Sequence, residues 1–592
     1  MKYPTLAEMN ASREWLDVFR GYNHNLRIGE GEFYEMTNLS SDNYPILSPR
    51  SKRGIYATPG TPKGMVAKDA LCYVDGDKFV INEYQIDMDL SVERDEELKI
   101  IPKTLISMGA YVIIMPDKKY INTADLTDYG NIEAAITTSG QASFELCKVD
   151  GVSYENTKAQ ATAPEITDEM REDSTKIPLW IDTSSTPHSL KQYATTTDMW
   201  STIGTTYIKI TATGIGKPFE VNDGVTISGV KSEALADLNA SMIILAKGDN
   251  YIVVTGILDK VTTQDESITV ERRMPEMDFI VESGNRLWGC RYGPQGDQVV
   301  NEIYASKLGD FRNWSCYQGI STDSYAASVG TDGQFTGAIT YLGYPIFFKE
   351  NFMHKVYGNY PANFQIQTTA CRGVQKGCGK SLAIVNEVLY YKARSGICAY
   401  DGSLPQEISA ALGDMAYSKA VAGHIGNKYY ISMCDVEGRY HLFVYDTLKG
   451  MWHREDNTEV VDFCNCRGDL YYIDWADNQI KTVKGTGSVK ETKTIEWEAV
   501  TGVIGTDSPD KKYISRLDVR MLLEVGTRVN FYVEYDSSGE WKHLFSMDGV
   551  SLHSFAVPIR PQRCDHLRLK IMGEGDAKIY SICKTVEWGS DM

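Results

Sequence analysis

One short pattern returns along this chain: a turn holding Gly or Asn, then a strand that opens with large apolar or aromatic residues. It occurs as Asp75-Gly76-Asp77-Lys78-Phe79-Val80-Ile81, as Met108-Gly109-Ala110-Tyr111-Val112-Ile113-Ile114 and as Ser283-Gly284-Asn285-Arg286-Leu287-Trp288. It returns as Leu342-Gly343-Tyr344-Pro345-Ile346-Phe347-Phe348 and Val385-Asn386-Glu387-Val388-Leu389-Tyr390-Tyr391. The last two copies are Ile425-Gly426-Asn427-Lys428-Tyr429-Tyr430-Ile431 and Arg467-Gly468-Asp469-Leu470-Tyr471-Tyr472-Ile473. The final four turn residues are separated by 43, 40 and 42 residues. A blade of four short strands takes about 40–45 residues. Gly or Asn lets a hairpin reverse through positive φ with little strain. The spacing predicts an all-β chain founded on a seven-bladed β-propeller.

The period is interrupted once. Gly109 and Gly284 are 175 residues apart, which leaves roughly 135 residues beyond one blade. Asp150 to Asp198 is rich in Thr, Ser, Pro and charge and reads as irregular. Strand patterns follow at Tyr207–Ala212, Gly224–Val230, Ser241–Leu245 and Asn250–Val254, enough for a small barrel or sandwich. After Gly487 the period stops. Leu517–Leu523, Arg528–Tyr535 and the alternating His566–Ile571 predict a C-terminal β-sandwich. Residues 1–20 suggest a short amphipathic helix through Leu6, Met9, Trp15 and Phe19, and 21–54 an extended arm that closes the ring. The expected divisions are an arm at 1–54, propeller at 55–137, inserted β-domain at 138–275, propeller again at 276–490 and sandwich at 491–592.

Composition agrees with strands, since aromatics reach 11% with 36 Tyr, and these side chains suit pleated, half-buried surfaces. The net charge of −19 argues against tight generic binding to phosphate backbones. An acidic surface supports solubility and would let DNA pass without adhering. No apolar run has the length of a signal peptide core or a membrane span. The 12 cysteines are expected as reduced thiols of a protein made in a cytoplasm.

Chemical motifs are sparse. Cys371 and Cys378, and Cys464 and Cys466, have spacings that fit structural zinc poorly, so buried thiols are expected. No G-x-S-x-G occurs. Thr211-Ala212-Thr213-Gly214-Ile215-Gly216-Lys217 lacks the spacing of a phosphate loop and predicts a turn. Leu308-Gly309-Asp310-Phe311-Arg312-Asn313-Trp314 holds the ingredients of a sialidase Asp-box in the wrong order, and no carboxylate pair stands out for glycoside hydrolysis. The basic run Arg50-Ser51-Lys52-Arg53 is expected as a solvated loop or an intersubunit salt bridge. No catalytic, cofactor or metal residue is assigned, and the chain is expected not to be an enzyme.

Several blocks resemble a known family. Gly21–Phe33, Met36–Leu39 and Pro49–Gly54 look like the opening of bacteriophage tail hub and nozzle proteins. Leu308–Trp314 followed by Ser321–Ser324, Tyr341–Glu350, and Pro558–His566 are similar to stretches of phage virion proteins. Tyr440–Asp446 followed by Trp452 is similar to the kelch pattern, in which a Trp packs between blades. The phage resemblance implies a structural tail protein in a ring of six copies around the channel through which DNA leaves. It implies other tail proteins as partners, on the portal-adaptor side and towards fibres or tip, genomic DNA only as passing cargo, and a place in the virion after assembly in the host cytoplasm. A glycan- or receptor-binding propeller at the tail tip is the alternative, with a propeller glycosidase behind it.

Overall fold

The computed structural model describes residues 11–92, 101–296, 298–315, 317, 320–486, 489–506 and 511–588. It is all-β and divided into many small sheets. Five antiparallel sheets of four strands follow one another along the chain at 62–87, 104–131, 279–328, 335–370 and 383–407; a sixth run of four antiparallel strands, 417–454, lies within a larger sheet, and a seventh group, 460–482, belongs to a sheet of five. The seventh takes its fourth strand, Gly54–Ala57, from the other end of the chain, antiparallel to Ile480–Thr482.

First strands touch in a circuit. Pro62–Ala67 meets Thr104–Met108, which meets Phe279–Ser283, which meets Phe335–Tyr341. The turn Gly379–Ser381 carries the contact onward to Tyr417–Ile425, which also touches Ala383–Val385 of the fifth sheet. Tyr417–Ile425 meets Val460–Cys466, which returns to Pro62–Ala67. The apolar core is accordingly split into wedges. One holds Val74 and Phe79 of the first sheet with Val112 and Ile121 of the second. Another holds Leu71 of the first with Ile473 and Ile480 of the seventh.

The seven turn residues all adopt positive φ, between 48° and 80°. Six join the first and second strands of a sheet. Gly76 departs from this and joins the second and third, because the first hairpin of that sheet reverses at Lys68–Ala70 without glycine.

Residues 134–272 leave the circuit between the second and third sheets. Two sheets, one with Ala134–Thr137, Gly224–Ser228, Ser241–Ile243 and Thr269–Arg272, the other centred on Ala142–Cys147, Tyr207–Thr211 and Tyr251–Thr255, enclose a core of Phe144, Ile210, Phe219, Ile227, Val254 and Val270. The stretch expected to be irregular is instead a third sheet of Thr157–Gln160, Leu179–Asp182, Ser189–Ala194 and Met199–Thr202. Ile181 and Leu190 are its buried anchors, packed with Leu146.

The C-terminal region differs from expectation in one strand. Leu517–Leu523 and Arg528–Tyr535 are one continuous strand, Lys512–Tyr535. Gly526, at φ 87°, bends it rather than ending it. Its first half pairs with Ala577–Trp588 and its second half with Leu567–Glu574, while Lys542–Val557 pairs along both. Val519, Met521, Val529 and Phe531 of the two halves join one core.

The N-terminal segment stitches these units together. The expected helix falls partly outside the described residues (Leu6 and Met9), and Trp15 lies in a strand, Ala11–Leu16, antiparallel to Ala577–Trp588. A non-local ladder outweighs a helical spacing of apolar residues there. Glu32–Thr37 then pairs with Glu496–Thr501, and Tyr22 pairs with Trp452 of the sixth sheet. One twelve-stranded sheet therefore runs from the C-terminal unit into the circuit.

Arg53 holds the closing strand in place. Its guanidinium meets Glu455 at 2.7 Å and Asp456 at 2.7 Å with almost no exposure. Removing one partner of a buried pair strands the other charge. Arg53→Met should lower stability by about 3–5 kcal/mol in urea denaturation and speed amide exchange in Gly54–Ala57 before that in the second or third sheet.

Candidate functional site

The arm and the sixth and seventh sheets meet around a cavity of about 240 Å³. Hairpin Ile425–Lys428 supplies one wall, Ser40–Asp42 and Arg50–Arg53 of the arm another, and Val483 with Lys484 the third. The run Arg50–Arg53, expected to be solvated or to reach another subunit, is internal at both arginines. Arg50 pairs with Glu491 at 3.4 Å and donates to Asn38 Oδ1 at 2.8 Å. Its acidic partners lie 400 residues away, so no local pattern announced them.

Burial alone would lower the Arg53 pKa, but Asp456, Tyr472 and Glu455 outweigh it and hold the group well above its ordinary value. Burial likewise acts against ionised Asp456, and Arg53 overcomes it, keeping that carboxyl below its usual range. Lys428 bonds Asp42 at 2.7 Å and Ser40 at 2.9 Å, and Lys449 meets Asp446 at 3.1 Å. The arm is thus held by a lattice of charge pairs.

His453 lies beside this lattice, and its Nδ1 has no hydrogen-bond partner among the described residues. Burial, reinforced by Lys428, pushes its pKa down to about 3. The folded protein keeps this ring neutral while the unfolded chain protonates it near pH 6.5. Stability is therefore unaffected above that pH and falls as pH drops from about 6.5 towards 3, by roughly 1.4 kcal/mol per pH unit for this one group. Urea midpoints measured between pH 7 and 4.5 should show His453→Leu losing stability on acidification less steeply by that amount.

A larger cavity, about 960 Å³, opens between the arm and the C-terminal unit. Leu16, Ile28, Val503, Leu567 and Trp588 give it an apolar lining. Lys584, at its wall, pairs with Glu14 at 2.7 Å and Glu30 at 2.5 Å.

The axis of the circuit is lined by first strands, whose only carboxylates are Glu282 and Asp462. Asp462 accepts the Met65 N–H at 3.0 Å and pairs with Lys380 at 3.3 Å. Glu282 accepts the Asn285 N–H of its own hairpin at 2.9 Å.

The other sequence motifs fall at joints. In Leu308–Trp314, Asn313 is fully buried and accepts the Gly224 N–H at 2.6 Å, tying the inserted unit to the third sheet. Phe311 packs on Tyr111 and Tyr120 of the second sheet. Trp452 donates to Ile408 O at 2.9 Å across to the fifth sheet. Thr211–Lys217 is a turn in which Gly214 donates to Asn250 Oδ1 at 2.8 Å. Cys464 and Cys466 share one apolar wedge, and Cys378 accepts the Ala420 N–H at 3.5 Å. Burial pushes the Cys371 thiol up to about 11. No group of three metal-ligating side chains gathers among the described residues.

No family model and no curated protein matches the chain. Solved structures resembling it include a sialidase of Trypanosoma rangeli in complex with sialic acid, 9% identical over 97% of this chain and 95% of that one, with a TM-score of 0.25. An exo-beta-1,3-galactanase from Phanerochaete chrysosporium with galactose is 8% identical over 52% of this chain and 94% of its own, with a TM-score of 0.22. An engineered GH43 glycoside hydrolase with endo-xylanase and exo-arabinofuranosidase activity is 9% identical over 53% and 97%, with a TM-score of 0.20. These neighbours are enzymes, and the expectation that the chain is not an enzyme is withdrawn on that finding. None of their substrates is carried over to this chain.

Proposed function

We propose that this chain is a seven-bladed β-propeller with an inserted small β-domain and a C-terminal β-sandwich, and that it is a hub or nozzle subunit of a bacteriophage tail. In this reading it forms part of a ring around the DNA-exit path and a platform for other tail proteins, within a virion assembled in the host cytoplasm.

One observation carries the reading. Several of the blocks that resemble phage tail and virion proteins lock the units together. Gly21–Phe33 and Met36–Leu39 supply the strands joining the C-terminal sheet to the sixth sheet. Pro49–Gly54 leads into the closing strand and carries Arg50 and Arg53. Leu308–Trp314 anchors the inserted unit. A part of a duct under internal pressure has to act as one stiff body, and these joints remove its hinges. The net charge of −19 suits a wall that DNA slides past, since cationic contacts are what hold a phosphate backbone.

A second reading, glycan or receptor binding at the tail tip, is favoured by one feature of the inserted unit. Trp200 packs edge-on against Trp180 at 5.4 Å and against Tyr193 at 5.3 Å, with Lys191 over Trp180 at 4.6 Å. Trp200 and Tyr193 stay half-exposed beside the Arg171–Asp198 pair, which is 2.5 Å long.

Native mass spectrometry and cryo-electron microscopy of the purified chain, alone and with its neighbouring tail proteins, test the first reading. The expected result is a closed ring of six that docks end to end on a partner. A chain that stays monomeric, ignores tail proteins and binds glycans through Trp200 would overturn it in favour of the second.

A further inference from the structure

The strand Lys542–Val557 is 16 residues long and pairs on one side only. Its other edge meets no strand among the described residues. Proteins blunt such edges with lysines, prolines or short lengths, because a free row of N–H and C=O groups is a template for another strand. This edge lacks those guards over more than half of its length. From Gly549 to Val557 the sequence is Gly-Val-Ser-Leu-His-Ser-Phe-Ala-Val, with no acid, lysine, arginine or proline. Leu552 is 51% exposed. The register there runs unbroken from Met521↔His553 to Leu517↔Val557.

On the other side of the same local sheet, the edge strand pairs with no second strand among the described residues. Ala11–Leu16 pairs with Ala577–Trp588, that strand pairs with the first half of Lys512–Tyr535, and this half pairs with the unguarded end of Lys542–Val557. All three pairings are antiparallel. With four strands between the edges, the two outer strands run in opposite directions. A second copy turned about an axis parallel to the strands therefore presents its Ala11–Leu16 antiparallel to this copy's free edge, which is the favoured form of ladder. Trp15, also 51% exposed, lies on the face that holds Ala556, since Trp15↔Cys583↔Asp518↔Ala556 are successive register partners.

We infer that the chain assembles head to tail by strand addition, the Ala11–Leu16 edge of one copy extending the sheet of the next along Leu552–Val557. This rests on the ring reading above and names its contact. Two different edges on one chain make a heterologous interface, which does not stop at pairs: it gives a ring where the rotation between copies closes and an open filament where it does not. The occupant is another copy because the chain itself supplies the complementary edge, six residues long, in the direction the free edge needs.

The test is native mass spectrometry of the full chain over a concentration series, beside Leu552→Lys/Ala556→Lys and Trp15→Lys. These positions are exposed and outside the core, so unchanged melting temperatures report intact folds. Amide exchange of residues 552–557 is followed in parallel. Expected is a wild-type ring with those amides protected, and edge variants whose half-assembly concentration rises roughly tenfold or more, equivalent to about 1.4 kcal/mol. Variants with intact folds that form the same ring at the same concentration would overturn the strand addition and leave the ring reading standing. A wild-type that stops at a two-fold dimer, or stays monomeric, would overturn it as well.

Discussion

The circuit of sheets depends on one closure: the strand Gly54–Ala57 completing a sheet whose other members lie beyond residue 460. Without it the last sheet would keep three strands, and the wedge shared by Leu71, Ile473 and Ile480 would lose its clamp. The ordering cost of bringing segments 400 residues apart grows only slowly with their separation. The rate at which they find one another is more sensitive, because non-local pairings form late. The buried Arg53, held by Glu455 and Asp456, is the reward at the end of that search.

The same N-terminal segment performs three joinings between residues 11 and 57. It lays a strand on the C-terminal unit, links that unit to the sixth sheet, and closes the seventh. An apolar interface alone would leave such units free to slide, since burial is non-directional. Backbone ladders and charge pairs fix register as well as proximity. That is why polar residues of the arm, among them Arg50, Arg53 and Asn38, are buried or bonded where a loop would leave them in water.

What could be read from the sequence follows what local chemistry requires. The turn positions were legible because positive φ selects Gly or Asn, and the positions themselves bear this out at Gly109, Gly284 and Gly468. Gly76 was legible as a turn, but not that it joins the second and third strands of its sheet, since the turn before it needs no glycine. The sheet spanning 157–202 was missed because its strands are short and set among Thr and Ser, with Ile181 and Leu190 too sparse to show a period. Leu517–Leu523 and Arg528–Tyr535 read as two strands because a bend inside a strand, here at Gly526, and a turn between two strands leave the same break in the pattern. The candidate site was least legible: Arg50 and Arg53 were noticed as a charge run, but their partners are defined only by the closure of the ring.

The inserted unit begins and ends at a single cross-strand pair, Ala134 with Arg272, so its two connections leave the ring a few ångströms apart. A segment of some 140 residues therefore hangs from one narrow stalk. Recombination between related genomes could exchange such a segment through two nearby breakpoints while the sheets on either side keep their strands. Asn313 Oδ1 and the Ile132 carbonyl, which accept from Gly224 and Arg272 of the inserted unit, are the ring groups that any incoming replacement would have to satisfy. The architecture thus separates a ring whose parts must coevolve from an appendage that can diversify at its own pace.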